Sequence, residues 1–281
     1  GHRAWTGLEP PAPERVSDET VTLASDPEVD LDVLTAVVVL DGRRLEAEVP
    51  EDVSSPEVVS ALAGEWLTVS GRVVPATGRP DLAVRHVAAR LLVDEIGPVR
   101  SGDPVSRLAN GIRRSVVRGA ATLGAEPAAL LTGILFGDDR AQSAPTTDDF
   151  RASGLSHLLA VSGQNVAFVL VVAGFGLRRL GLATRFAAVL GVLAFFALLT
   201  RFEPSVLRAT AMAGVAAGAA FGGREVSRPR ILALAVTGLL LVDPVLVHSV
   251  GFVLSVAATT GIVALAGRIG RRLPGPESVT E

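Results

Sequence analysis

Apolar and polar positions follow two different rhythms along this chain. Between residues 17 and 97 short apolar runs alternate with charged residues. Residues 33–40 form a β-branched run, Asp41-Gly42 is a hairpin signal, and Leu45, Ala47 and Val49 then alternate with charged neighbours. Residues 65–74 predict another strand, with Gly71 placed where a bulge or barrel bend fits. Residues 81–92 supply one more strand, and 56–63 a short helix. Five or so strands with one short helix suit a small OB-like barrel. Residues 1–16, rich in Pro and Gly, are expected to be a linker.

From residue 98 the period changes. Leu108, Ile112, Val116, Ala120 and Leu123 recur at helical spacing, with Arg107, Arg114 and Arg118 on another face and Arg113 beside them. Such a helix either lies on anionic headgroups or presents a row of Arg to phosphates. A short apolar helix over 127–137 follows. Asp138, Asp139, Asp148 and Asp149 come next. Four carboxylates this close either hold a divalent cation or cap helices, and Thr146-Thr147-Asp148-Asp149 has the pattern of a helix start.

After residue 150 long apolar runs cover 158–177, 186–200, 205–221, 231–242 and 245–266. A membrane span needs ~20 apolar residues, so 186–200 and 231–242 are short and fit only where protein or a wet cavity surrounds them. Arg-rich breaks at 178–185, 224–230 and 268–272 alternate with Arg-poor ones at 201–204 and 243–244. The positive-inside rule then predicts a multi-pass protein of the cytoplasmic membrane, with residues 1–150 on the extracytoplasmic side. The expected fold class is an α+β membrane protein: an OB-like barrel over 17–97, a connecting segment over 98–149, a polytopic helical bundle over 150–272 and a polar tail over 273–281.

Charge sharpens this division. Residues 17–97 carry six Arg against sixteen acidic residues, and 98–281 carry eighteen Arg against eleven. All 26 basic residues are Arg, and there is no Cys, which removes disulfides and thiolate metal sites. A single-strand-binding barrel needs a basic groove and stacking aromatics. Residues 17–97 offer Trp66 alone among aromatics and an acidic balance. A scaffold role for the barrel is therefore as consistent with its residues as DNA binding is. No P-loop is present, so no ATP hydrolysis and no cofactor are expected.

Polar residues at the mouth of an apolar run mark function by default. His157, Ser162, Gln164 and Asn165 stand at the start of the first run, and Arg208 about one turn into a later one. They either bond helix to helix or line a path. A hydrolase would need Ser162 and His157 together, yet on a helix five residues separate them by about 140°, and no third orienting group is evident. No enzymatic activity is expected. Arg208 either snorkels to the outer interface beside Glu203 or forms a cationic wall for a passing anion.

Three of these stretches resemble one family. Gly154-Leu155-Ser156-His157-Leu158-Leu159-Ala160-Val161-Ser162-Gly163, then Pro204-Ser205-Val206-Leu207-Arg208-Ala209 with Met212, then Asp243-Pro244 with Gly251-Phe252-Val253-Leu254-Ser255, are similar in sequence and order to motifs of the ComEC competence proteins. The resemblance implies an inner-membrane channel for single-stranded DNA, an OB-like domain before the competence domain, and a DNA receptor and a cytoplasmic helicase as partners beside the lipid bilayer. It leaves a homo-oligomer open. It also implies a fragment, since family members are longer. Many members have His where this chain has Asn165, which weakens any protonation role there. The nuclease domain of some members, with its His-x-His-x-Asp-His stretch, has no counterpart here. The alternative is a non-transporting membrane scaffold with an OB-like assembly domain.

Overall fold

The elements bounded among the described residues of the N-terminal part are β1 (Glu14–Leu23), β2 (Glu28–Asp30), β3 (Val33–Leu40), β4 (Arg43–Pro50), α1 (Pro56–Val59), β5 (Trp66–Pro75) and β6 (Val87–Ile96). A computed structural model describes residues 13–270 other than 31–32, 77–81, 83–84, 157–158 and 160. Most of the expected linker, the tail 273–281, Arg79 and His157 lie outside the described residues.

Asp41 and Gly42 join β3 to β4 with φ of 50° and 77°, the paired positive angles of a tight hairpin turn. The sheet order is β1-β5-β6-β4-β3-β2, and β1 pairs again with β3 through Thr22–Val39 and Leu23–Val38. Pairing is antiparallel except between β4 and β6, which run parallel. Gly71 is where β5 shifts register against β6. A Cβ there would lie 2.1 Å from the Leu92 carbonyl oxygen, so the crossing admits glycine alone.

Strand alternation sends Leu34, Ala36, Val38, Leu40, Leu45, Ala47, Val49, Leu67, Val69, Val73, Ala89, Leu91 and Val93 into one core. Val37, on the opposite face of β3, packs with Leu82 and Val87 in a second cluster. Two expectations need correction. The strand predicted over 81–92 begins at Val87, and residues 14–16 belong to β1 rather than to a linker. β1 carries a bulge between Val16 and Glu19, with Asp18 at φ 52°, so its apolar residues fall out of period.

Among the described residues eight longer helices follow: α2 (Pro104–Ala120), α3 (Ala125–Phe136), α4 (Ala144–Ala152), α5 (Gly163–Leu177), α6 (Leu182–Leu199), α7 (Pro204–Phe221), α8 (Arg228–Val242) and α9 (Val250–Gly270). Asp103 caps α2 by accepting from Val105 and Ser106, ahead of Pro104. α4 is capped by Ser143, whose hydroxyl accepts from Thr146 N–H. Thr146 to Asp149 therefore sit inside that helix, not at its start. Among the described residues no group of three or more His, Asp or Glu is placed to hold a metal.

The chain forms two units: one running to Val161 and including Leu198–Arg201, the other made of Ser162–Ala197 and the chain from Phe202 onward. In the second unit α7 is packed by α5, α8 and α9. α6, expected to be short, takes in Leu182 to Arg185 and reaches 18 residues. Among the described residues it is the one helix long and apolar enough to cross a membrane. At ~1.5 Å per residue it spans ~27 Å. The apolar stretches of α3, α5 and α9 are shorter by that measure.

Two core substitutions test this sheet. Leu91→Ala, at a fully buried site, is expected to cost about 3 kcal/mol of stability. Gly71→Ala is expected to cost more, because it meets backbone rather than a movable side chain. Thermal unfolding of the purified protein checks both.

Candidate functional site

Two constellations of polar side chains stand out, one in each unit. In the first unit α2 presents three faces. Val105, Leu108 and Ile112 are exposed, Arg107, Arg114 and Arg118 form an adjoining exposed strip, and Ala109, Asn110 and Arg113 are buried. Arg113 thus leaves the expected row of phosphate or lipid contacts. It is 2% exposed, and its Nη2 donates to Asp26 at 2.7 Å and to Asp138 at 3.1 Å. Its Nη1 donates to the Leu199 carbonyl at 3.0 Å, and the guanidinium lies 5.2 Å from the Phe136 ring centre. Arg114 is drawn to the buried Glu65 at 2.8 Å. Arg118 donates to Ser115 and to its own helix. Arg107 stays exposed.

Asp26 and Asp138 each answer more than one cation. Arg201 donates to Asp26 from Nε at 3.1 Å and to the Asn110 side-chain oxygen at 3.0 Å. Arg140 clasps Asp138 with two bonds of 2.8 Å. Burial opposes the charge on Asp138, but the Arg140 hydrogen bonds and the charges of Arg140 and Arg113 outweigh it and hold its carboxyl below the ordinary range. Burial pulls Arg113 below its ordinary value, offset in part by Asp26 and Asp138. A guanidinium so placed still carries its proton. Burial, then Asp139, raises Glu28. Beside this network lies a cleft of about 1090 Å³, whose lining mixes Arg113, Arg114, Arg118 and Arg140 with Glu28, Asp138 and Asp139.

Sequence reading missed this network. Asp26 and Arg201 are 175 residues apart, and neither stands in a motif.

In the second unit the last residues of the first motif, Ser162 and Gly163, stand with the other two motifs. Gly163 opens α5 behind Ser162, which takes the capping position with no side-chain cap bond. A Cβ on Gly163 would lie 3.1 Å from the Ala209 Cβ and 3.3 Å from Arg208 Nη2. Arg208 Nη1 donates to the Ser255 carbonyl of α9. A Cβ on Gly251 would lie 3.9 Å from Pro204. α7 therefore carries the middle motif between the other two. Arg208 Nε is buried and has no hydrogen-bond partner among the described residues. Gln164 is exposed, while Ser162 and Asn165 are half-buried. Ser162 stands before its helix, so the helical angle assumed between it and His157 does not apply, and His157 lies outside the described residues.

One variant tests the first network. Asp138→Asn is expected to cost about 3 kcal/mol at neutral pH, the range for removing one partner of a buried pair. The sign follows from a depressed carboxyl: the stabilisation is present above the unfolded-state value and is lost as pH falls through the lower folded value. The gap between wild type and variant in unfolding free energy should therefore be flat near neutrality and close in acid.

Comparison with known proteins adds the family. A search of curated proteins gave no match, and a search of solved structures gave none either. The family described as competence protein matches residues 134–281, just over half of the chain, and takes in all three motifs. With its motifs gathered around α7 and that match across them, the chain belongs to the competence protein family.

Proposed function

We propose that this chain is part of a channel that passes single-stranded DNA across the cytoplasmic membrane during natural transformation. The observation that carries the proposal is Arg208. A cation whose buried Nε has no partner among the described residues sits between Gly163, at the end of the first motif, and Ser255 of the third. A charge inside an apolar helix costs about 3 kcal/mol even on the mildest scale, so its retention points to use. Phosphate is the natural counterpart of such a guanidinium. Family membership supports a role in competence and DNA uptake.

The surroundings agree with a polytopic bundle. The second unit exposes large apolar side chains such as Phe168, Val172, Phe175, Leu241, Val250 and Leu254, a surface that suits lipid. The Arg-rich connections after α5 and α7 alternate with Arg-poor ones, which favours the extracytoplasmic placement of residues 1–150. The circuit β1-β5-β6-β4-β3-β1, with β4 parallel to β6 and α1 between β4 and β5, has the connectivity of an OB-like barrel. In this reading the protein is no enzyme. It works with a DNA receptor and a cytoplasmic helicase, its neighbours are the bilayer and the strand it conducts, and copies of the chain assemble where one bundle does not complete the path.

A second reading, a non-transporting scaffold, draws on the barrel. Trp66 is covered by Arg100, 5.4 Å from the ring centre, and its Nε1 donates to the Ser101 carbonyl. One face of its ring is thus taken by a cation rather than left for a base, and the cleft beside Arg113 is of mixed charge. This favours an assembly role for the β-domain.

The test is uptake of labelled DNA into the cytoplasm of cells lacking the gene, complemented with wild type or Arg208→Ala at equal membrane level. Deletion is expected to abolish uptake. Arg208→Ala should restore it about tenfold less well or worse, the value of one charge-assisted hydrogen bond. Intact uptake after deletion would favour the scaffold. Full restoration by Arg208→Ala would remove Arg208 from the path.

A further inference from the structure

α6 ends in a closure that glycine makes elsewhere in this protein. Phe202 N–H donates to the Ala197 carbonyl at 2.8 Å and Arg201 N–H to the Leu198 carbonyl at 3.1 Å. This pair of bonds is the Schellman pattern, which sets the residue after the cap in the left-handed region. α4 closes the same way, through Leu155 to Phe150 and Gly154 to Arg151, with Gly154 at φ 74°. α7 does so through Arg224 to Ala219 and Gly223 to Ala220, with Gly223 at φ 63°. At the end of α6 the glycine position holds Arg201, at φ 56°, and Phe202 follows at φ 58°. Left-handed conformation is unfavourable for both side chains. A strained residue persists where its surroundings over-determine it.

The surroundings of Arg201 do so. Its guanidinium reaches Asp26 at 2.9 Å and Asn110 at 3.0 Å. Asp26 is itself fixed by Ala63 N–H at 2.8 Å and by Arg113. Asn110 is fixed through its amide to the Ala63 carbonyl at 3.2 Å. The preceding residue, Thr200, is fully buried.

We propose that Arg201 is a positioning residue: its side chain, held by Asp26 and Asn110, locks the left-handed end of α6. Glycine would close the helix as well but would carry no tether. Lysine offers a point charge and cannot span both acceptors as the planar fork does. The importance of this lock for uptake rests on the proposed function; its existence does not.

The test has two arms, both on the full chain. In the first, hydrogen exchange is followed by mass spectrometry over residues 197–204 of detergent-purified protein. Arg201→Ala and Asp26→Asn are expected to speed exchange there by roughly tenfold or more. Arg201→Gly should stay near wild type, because glycine adopts the left-handed region freely. Unchanged exchange in Arg201→Ala would overturn the lock. In the second arm, uptake is measured at equal membrane level. Arg201→Gly is expected to lower it about tenfold although the helix end stays closed, and Arg201→Lys to lower it as well. Full uptake with Arg201→Gly would overturn the positioning role, since closure alone would then suffice. If deletion of the gene leaves uptake intact, the channel reading fails, and the exchange arm alone decides whether the side chain locks the turn.

Discussion

A charge taken out of water has to be answered by opposite charge close at hand, and Arg113 is where this protein meets that demand. Its side chain is nearly sealed, so Asp26 and Asp138 must both stand within reach. Those carboxylates come from the loop after β1 and from the segment after α3. Each then recruits a further cation, Arg201 or Arg140. One buried guanidinium on α2 thus fixes four separate stretches of chain. The sheet supplies the apolar core of the first unit, but the placement of its helices and connecting loops depends on this exchange of charge.

The second unit solves a different problem. Its helices are rich in Ala and Gly, and close approach takes the place of large side chains. Gly163 sits against Ala209 and Arg208, and Gly251 against Pro204, at distances that leave little or no room for a methyl group at the first site. That closeness lets a single arginine on α7 touch the beginnings of two other helices. Fold and candidate site are therefore one arrangement there: the packing that builds the bundle also brings the end of the first motif to the other two.

Local signals in the sequence were read well where the physics is local. The β-branched run of β3, the Asp41-Gly42 turn and the break at Gly71 each follow from one or a few neighbouring residues. The start of β1 was hidden because a bulge shifts Val21 out of phase with Val16. α6 looked short because Arg185 and Thr184 resemble a break, yet both are tolerated in a helix whose apolar body continues. The start of α4 was placed too late because Ser143 caps it three residues before the Thr and Asp residues that look like a cap. The Asp26–Arg201 pair was illegible for a deeper reason: ion pairing across most of the chain length leaves no trace in spacing. Three motifs separated by about forty residues each were recognisable as a set, and only the packing of α7 explains why they belong to one place.

Trp66 has a consequence of another kind. Its indole is pinned between the Arg100 guanidinium and the Ser101 carbonyl, at the junction where the sheet gives way to α2. A guanidinium over the ring and a bonded indole nitrogen set both the colour and the quenching of its emission. The chain has one other tryptophan, Trp5. The emission of Trp66, read with Trp5 replaced, is thus a built-in optical gauge of the joint between the sheet and α2.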